Sequence, residues 1–495
     1  MPDLHIEDVY LIPDVADGTI TVEAELVSGA SAASTQSTES PAPFHSAAPS
    51  QCTIEVVVYD GKNKTIATAR SGGCASKTPL IVKIPPADLK LWSPSYPHLF
   101  NVTITLLTSK SGGGGSAHRM DATPTDVVRS YVGMRSIGVG LSKVTGKPAV
   151  YLNSRELFQT GVLDQGFFPD GGYTAATDDA LVSDLLALKA MGFNAVRKHM
   201  KVDTRRWFYH ADTLGLLVWQ DIPQWNSGDG DFDAIFAPEV RNIWKGIRNS
   251  PSLIQWNAFN EGWGEGSPAM SNKTVALFRS LEGRTARDGA ADGGGGNGDG
   301  GSNGSSGGGG NQGGGGLRLI NDASGGRGFG CQDGWVDPNK CPSGSRCEAV
   351  FWTGGCAGDV TDHHHYPNPE VPYDLAEISA RQGKPFLQGE YGGYSLGVDG
   401  HDWCKRDGAS SGTPVATTPL PDPGLTSAFE QYAAEAALLH TQGLSGIIFT
   451  QMSDCECEMS GLLTYDRVPK VNYTAIRLIN EALLRNVSTK TAPPS

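Results

Sequence analysis

Two glutamates occupy positions in the sequence from which they could carry out acid–base chemistry. Glu261 follows the apolar run at residues 253–259, and Glu390 follows the run at residues 384–389. Each run is short and bounded by glycine, which predicts a buried strand. Barrel enzymes keep catalytic groups at the carboxyl ends of parallel strands, and glycosidic bond cleavage needs one carboxylic acid and one carboxylate. The pair therefore predicts glycosidic bond cleavage.

Each glutamate alone has a simpler interpretation, because a single acidic residue at a strand end is more often an ordinary charge. Two such residues, each inside the same strand–glutamate–glycine pattern, favour a catalytic function. A retaining glycosidase holds its two carboxyl groups about 5 Å apart. Because like charges at that separation disfavour double ionisation, we expect one carboxyl of Glu261 and Glu390 to stay protonated near neutral pH.

The elements that must hold these glutamates begin near residue 145, where strand and helix patterns alternate. Thr177 is a predicted helix N-cap, Leu181, Leu185 and Leu188 fall on one face of that helix, and Gly192 ends it. Eight strand candidates lie near residues 156–161, 193–197, 216–220, 253–259, 317–321, 358–362, 385–389 and 445–451. Helical stretches separate most of them. Residues 139–490 are therefore predicted to form a (β/α)₈ TIM barrel.

The first part of the chain has a different pattern. Short segments at residues 10–12, 20–27, 53–59 and 100–106 alternate or run apolar at strand length, which predicts an antiparallel β-sandwich over residues 1–138. Residues 28–50 are rich in Ser, Ala and Pro and are expected to be a flexible insertion. The Gly-rich tract at 289–316 is expected to be a disordered loop within the barrel.

The predicted strand ends also carry polar and aromatic side chains that could bind a sugar. Arg197 could hold the nucleophile ionised, and Asn260 could hydrogen-bond a sugar hydroxyl. Since His363 and His365 are spaced by two, they could share a face, whereas His364 fits a solvated turn as well as a function. The predicted substrate-binding residues are Arg197, His199, Asp221, Asn260, His363, His365, Tyr366 and Tyr391.

Composition excludes some classes of function. The net charge is −14 and the pI is about 5.2, which argues against a nucleic-acid partner. There is no apolar run of 18 or more residues, so no transmembrane helix is expected. The N-terminus lacks the pattern of a signal peptide, although six Asn-x-Ser/Thr sequons and nine cysteines point to a secretory or vacuolar origin. Localisation and oligomeric state stay open.

Metal binding is the alternative chemistry for two segments. Cys331, Cys341, Cys347 and Cys356 form a cluster, but they lack paired Cys-x-x-Cys spacing, so disulfides or free thiols are expected ahead of zinc. A second candidate is Asp362 with His363 and His365, for which no further ligand set is evident. No cofactor or metal is therefore predicted.

The chain resembles glycoside hydrolase family 2, which includes β-galactosidases, β-mannosidases and β-glucuronidases. The segments that carry the resemblance are residues 161–171, Arg197-Lys198-His199, Trp256-Asn257-Ala258-Phe259-Asn260-Glu261-Gly262 and Gln388-Gly389-Glu390-Tyr391. Leu91-Trp92-Ser93-Pro94 and Gly133-Met134-Arg135 resemble the family's immunoglobulin-like domain and its exit into the barrel. The resemblance implies an immunoglobulin-like fold for residues 1–138. It also implies that Glu261 is the acid/base and Glu390 the nucleophile of a retaining, double-displacement exo-β-glycosidase.

Two departures from the family pattern affect what can be expected. Members of the family normally begin with a jelly-roll sugar-binding domain, whereas this chain starts at the sandwich, as an incomplete gene model or a short form would. The sequence Arg197-Lys198-His199-Met200 differs from the Arg-x-Ser-His pattern of better-known members, so the sugar cannot be carried over. The alternatives to a glycosidase are a catalytically impaired carbohydrate-binding protein and a metal-dependent hydrolase that uses Asp362 and His365.

Overall fold

A computed structural model describes residues 4–28, 52–74, 79–109, 122–224, 231–264, 268–283, 318–325, 357–403 and 424–489. The chain divides into two compact units, Met1–Arg135 with Arg248–Pro251, and Ser136–Ile247 with Ser252–Ser495. Three segments singled out from the sequence lie outside the described residues, apart from Ser28. They are the insertion at 28–50, the Gly-rich tract at 289–316 and the cysteine cluster at 331–356.

The first unit consists of two antiparallel sheets. Its strands are β1 (Leu4–Asp14), β2 (Thr19–Ser28), β3 (Cys52–Tyr59), β4 (Thr65–Arg70), β5 (Leu80–Lys83), β6 (Phe100–Ser109) and β7 (Ala122–Val132). The strand orders are β1-β2-β5 and β4-β3-β6-β7. Residues of β3 alternate between buried and partly exposed, as expected when one face of a sheet covers a core. Ile20, Val56 and Ile104 join one core from both sheets, and the immunoglobulin-like assignment stays a prediction.

The second unit contains a nearly closed parallel barrel. A small antiparallel sheet precedes it, made of β8 (Ile137–Leu141), β9 (Pro148–Leu152) and β10 (Arg155–Glu156). The barrel strands are β11 (Gln159–Asp164), β12 (Ala195–Lys198), β13 (Leu217–Asp221), β14 (Leu253–Asn257), β15 (Leu319–Asn321), β16 (Thr361–His364), β17 (Phe386–Gly392) and β18 (Leu444–Thr450). They pair in the order β15-β14-β13-β12-β11-β18-β17-β16. Each of the eight predicted strands overlaps one of these, so the TIM-barrel prediction is confirmed.

Helices follow most of the barrel strands in the described residues. They are α1 (Asp178–Ala190), α2 (Arg205–Leu214), α3 (Ala237–Ile247), α4 (Pro268–Leu281), α5 (Tyr373–Arg381), α6 (Gly424–Leu439) and α7 (Tyr473–Thr489). The predicted cap of α1 is confirmed, because the Thr177 side chain accepts a hydrogen bond from the Ala180 amide at 3.1 Å. Among the described helices, none is long and apolar enough to cross a membrane.

Gly161 shows how closely the barrel strands pack. A Cβ atom at this position would lie 2.8 Å from the Ala195 carbonyl oxygen and 2.8 Å from a methyl carbon of Ile448. Real Cβ atoms do not approach so closely, so glycine is required where β11 lies between β12 and β18. This packing brings the carboxyl ends of adjacent strands together, and the predicted site residues stand at those ends.

Candidate active site

The two predicted catalytic glutamates meet at the carboxyl end of the barrel. Glu261 lies just after β14, and Glu390 lies within β17. One carboxylate oxygen from each glutamate and one ring nitrogen of His364 all lie within 4.8 Å of one another. The Glu390 side chain is 10% exposed and that of Glu261 is 31% exposed. Both carboxylates are therefore close enough to act on the same bond, and Glu261 is the more accessible.

Arg197 connects four strands beneath the glutamates. Its guanidinium donates to Asp221 at 2.8 Å, to Glu390 at 3.1 Å and to the Asn260 side-chain oxygen at 2.7 Å. The predicted pairing of Arg197 with Glu390 is present. However, the Arg197 side chain is 0% exposed and that of Asp221 is 3% exposed. Their contact with substrate stays a prediction, and in the structure both side chains are buried in the barrel core.

Electrostatics keep Asp221 ionised. Burial alone would raise the pKa of its carboxyl, but Arg197 and His199 outweigh that effect and lower the pKa to about 2. His199 Nδ1 lies 2.7 Å from Asp221 Oδ2. Because the folded-state pKa is below the ordinary value of 3.8, this carboxylate stabilises the fold above about pH 4, and that stability is lost as the pH falls toward 2.

Removing the Arg197 charge is expected to destabilise the barrel strongly. Arg197→Met would leave Asp221 and Glu390 buried without their shared cation, and breaking such a pair costs about 3–5 kcal/mol. The measurement is the urea unfolding transition followed by tryptophan fluorescence. Arg381→Met is the matched control, since Arg381 pairs with Glu377 on the exposed face of α5. A loss for Arg197→Met as small as that of the control would contradict this role.

Glu390 is held on both of its oxygens. Arg197 contacts Oε1, and the Tyr366 hydroxyl donates to Oε2. Burial, together with the negative charge of Glu390, raises the pKa of the Tyr366 phenol well above its usual range, so Tyr366 stays a donor. The structure thus places Tyr366 beside Glu390, while its contact with substrate stays a prediction.

Glu261 differs from the expectation drawn from the sequence. We expected one of the two carboxyls to stay protonated, but the hydrogen bond from His364 lowers the pKa of Glu261 despite partial burial. His364 Nδ1 lies 3.1 Å from Glu261 Oε1 and 3.6 Å from Glu390 Oε2. Contact with His364 therefore lowers the pKa of Glu261 by more than partial burial raises it.

The histidine that reaches the site is His364, whereas the sequence predicted His363 and His365. Alternate residues of β16 point to the same side, and the Asp362 and His364 side chains both reach into the network of the site. His363 lies against the ring of Phe386, with 6.3 Å between ring centroids. His365 contacts the Asn368 carbonyl oxygen and Glu370. Pairing His364 with Asp362 on one face of the strand would have placed His364 beside the glutamates.

Tyr391, which the sequence predicts to bind substrate, lies on the side of β17 opposite to Glu390. It is the neighbour of Glu390 within β17, so its side chain points to the opposite side of the strand. The ring is 1% exposed and packs edge-on against Phe449 and Tyr432. Tyr391 is therefore a core residue between the barrel and α6.

A further polar group was missed because its residues lie in loops that follow the barrel strands. Gln165 and Gln451 both donate to Glu458, at 2.9 Å and 3.1 Å. Burial raises the pKa of Glu458, and the charge of Glu390 adds to this effect. Trp263, two residues after Glu261, is 57% exposed. These residues come from loops, whose conformation has no periodic signal in the sequence.

The predicted metal alternative does not assemble. Asp362 accepts hydrogen bonds from Asn321, Ser324 and the Gly389 amide, while His365 contacts Asn368 and Glu370 elsewhere. Within the described ranges, one trio could offer metal ligands, namely Glu261, His364 and Glu390. Its atoms already hold hydrogen bonds to one another, to Arg197 and to Tyr366. Their arrangement is that of a hydrogen-bonded acid–base group.

Comparison with known proteins finds similarity to glycoside hydrolases. The profile for Glycosyl hydrolases family 2 matches residues 4–135. A β-galactosidase of Oenococcus oeni is 28% identical over 224 residues, which are 42% of this chain and 19% of that enzyme. A putative β-glucuronidase of Formosa agariphila is 27% identical over 238 residues, which are 46% of this chain and 20% of that protein. The matched segments thus span about a fifth of each relative's length.

Solved structures show the same fold. A β-glucuronidase of Parabacteroides merdae superimposes with a TM-score of 0.60 and 14% identity, covering 96% of this chain and 52% of that one. This chain therefore shares its fold with that β-glucuronidase. The chain is therefore similar to glycoside hydrolase family 2 in its first 135 residues by profile, to β-galactosidases by sequence, and to a β-glucuronidase in fold.

Proposed function

We propose that this protein is a retaining exo-β-glycosidase that hydrolyses terminal β-linked sugars by double displacement. The observation that carries the proposal is the approach of the Glu261 and Glu390 carboxylates to within 4.8 Å of each other. Retaining glycosidases hold their carboxyl groups about 5–5.5 Å apart, whereas inverting enzymes leave about 6.5–9.5 Å for a water molecule. The short separation favours a covalent glycosyl-enzyme.

The environment of each glutamate supports its role. Glu390 is more buried and is held by Arg197 and Tyr366, which favours an ionised, oriented nucleophile. Glu261 is more exposed and touches a proton-carrying partner, His364, which suits a group that gives and takes a proton. Asn260 and His199 lie beside the pair, and the partly exposed His199 ring is placed to contact a sugar hydroxyl.

The relatives support the class of substrate. Those compared above are named as a β-galactosidase and β-glucuronidases, so a β-linked terminal sugar is the proposed substrate. Because these relatives are named for different sugars, their names do not identify the sugar that this protein binds. The residues that line the pocket determine it.

A panel of aryl β-glycosides tests this proposal. Galactoside, mannoside, glucuronide and glucosaminide substrates are expected to include at least one that is turned over without added metal. Proton NMR of the first product should show the β-anomer, which then mutarotates. Sugar binding without turnover would support the impaired carbohydrate-binding protein instead. Turnover that stops with a chelator would support the metal-dependent hydrolase, and an α-anomer as first product would contradict double displacement.

A further inference from the structure

A continuous hydrogen-bonded chain runs from Glu261 into the barrel core. His364 Nδ1 lies 3.1 Å from Glu261 Oε1, and His364 Nε2 lies 3.0 Å from the Ser324 hydroxyl. Ser324 in turn donates to Asp362 Oδ2 at 2.6 Å. Asp362 is 0% exposed and Ser324 is 0% exposed. The more accessible of the two glutamates is therefore connected to a carboxylate that has no contact with solvent.

The hydrogens in this chain can be counted. A serine hydroxyl has one hydrogen, which Ser324 gives to Asp362, so Ser324 must accept from His364 Nε2. Arg197 Nη1 lies 3.2 Å from the same ring nitrogen. Its two hydrogens, however, have oxygen acceptors in Gly389 and Glu390, both at 3.1 Å. His364 Nε2 therefore carries a hydrogen, which leaves Nδ1 free to share a proton with Glu261.

The ring of His364 is locked in place. A Cβ atom at Gly325, whose φ is +59°, would lie 2.2 Å from the His364 ring, so only glycine leaves room for it. A Cβ atom at Gly389 would lie 2.5 Å from the Ser324 hydroxyl and 2.6 Å from Asp362. Two glycines from different loops and strands thus allow the chain to assemble. A ring that only filled space would not need both of its nitrogens aligned with partners.

Charged groups face His364 from every neighbouring strand. They are Arg197 on β12, Glu261 after β14, Asp362 on β16 and Glu390 on β17. Burial and the Arg197 charge lower the pKa of His364, but Glu390, Glu261 and Asp362 outweigh them and raise it. The charge of Glu390 makes the largest of these raising contributions. Any reaction that neutralises Glu390 would therefore make His364 a stronger acid.

We propose that His364 stores the proton that Glu261 gives to the leaving group and later takes from water. The proposal rests on the glycosidase function proposed above. It makes His364 a positioning residue that acts through Glu261, with Ser324 and Asp362 holding its far nitrogen. Whether His364 holds or releases this proton would depend on the charge of Glu390, because the His364 ring lies between the two glutamates.

The proton and charge balance in both steps. In the first, Glu390 forms a bond to the anomeric carbon as the bond to the leaving oxygen breaks. Glu261 takes the Nδ1 proton of His364 and passes it to that oxygen, so Glu390 loses its negative charge as His364 loses its positive one, and Glu261 ends the step ionised. In the second step, water attacks the anomeric carbon and its proton returns through Glu261 to His364 as Glu390 is released. No oxidant, metal or further reactant is required.

The pH dependence of His364→Gln tests the proposal. Glutamine can hydrogen-bond both neighbours but does not titrate. In the natural protein the raised pKa of His364 keeps the shared proton available above the ordinary histidine value of 6.5. In the variant only Glu261 can hold it, and its ordinary value is 4.5. The alkaline limb of the kcat/KM profile for an unactivated glycoside should therefore move at least one pH unit lower. On the alkaline side, kcat/KM should then fall about tenfold for each further pH unit.

Controls separate this role from a structural one. His210→Gln, on the outer helix α2, should leave the profile unchanged, since His210 pairs with Asp178 away from the site. An equal loss at every pH in His364→Gln, or no loss, would overturn the proposal. Absence of any turnover by the natural protein would instead overturn the proposed function. In that case, a titration that needs no enzyme activity measures the pKa of His364 and its response to Glu390.

That titration uses nitrogen NMR of histidine-labelled protein. The His364 signals are identified by their absence in His364→Gln. In Glu390→Gln the neighbouring negative charge is gone, so the pKa of His364 should fall by at least one unit relative to the natural protein. The same pKa in both proteins would show that His364 does not respond to Glu390 and would overturn the proposal.

Discussion

Changing Glu390 to alanine is expected to reduce kcat by roughly 10⁵–10⁶-fold, the scale seen when a covalent nucleophile is removed. The loss should be similar for natural glycosides and for activated aryl glycosides, because a nucleophile is needed whichever group leaves. Arg197 and Tyr366 orient this carboxylate in the structure, and no other described carboxylate has both contacts. Steady-state kinetics with both substrate types measures the effect.

Covalent trapping identifies the nucleophile directly. A 2-fluoro-glycoside inactivator should form a stable ester on Glu390, visible as a mass increase of the peptide that contains it. Glu370→Gln serves as the control, because Glu370 pairs with His365 outside the glutamate pair and should not change labelling. Labelling of a different carboxylate, with Glu390→Gln still active, would refute the assignment.

Changing Glu261 to alanine is expected to separate substrates by their leaving groups. Natural glycosides need a proton on the departing oxygen, so their turnover should fall by roughly 10²–10⁴-fold. A glycoside with an acidic phenol leaves without that help, so its first step should be slowed much less. The comparison of kcat/KM for the two substrate types measures this difference.

Azide provides the second half of the Glu261 test. A small anion needs no general base, so added azide should restore turnover of the activated substrate in Glu261→Ala and yield a glycosyl azide of retained configuration. Azide should not restore Glu390→Ala in this way. Equal losses on both substrates without rescue would place the acid/base on another residue.

The barrel itself was predictable because its signal is local. Strands of a parallel barrel are buried on both faces, so they read as short apolar runs between glycines and helices. β14 and β17 have this pattern, and all of their residues are buried. The cap at Thr177 was likewise predictable, since it depends on a hydroxyl and an amide three residues apart. The same runs placed Glu261 and Glu390 at the strand ends.

Which histidine of β16 would lie beside the two glutamates was not predictable from those runs. β16 is polar, Thr-Asp-His-His, so it lacks the apolar alternation that would show which side chains face inward. Its register with β17 also shifts between His363 and His364, which changes the alignment of the side chains across the two strands. The core position of Tyr391 was missed for a simpler reason, because adjacent strand residues point to opposite sides.

The sequence by itself determined which residue types stand at the strand ends and that two carboxylates are among them. Only the tertiary structure decided which side chains meet and which partners act on each carboxylate. Arg197, His364 and Ser324 come from three different strands or loops, and their distances to Glu261 and Glu390 depend on how the barrel closes. Electrostatic effects on a pKa depend on distances of a few ångströms. Those distances are set by packing between segments far apart in the chain, which no local pattern records.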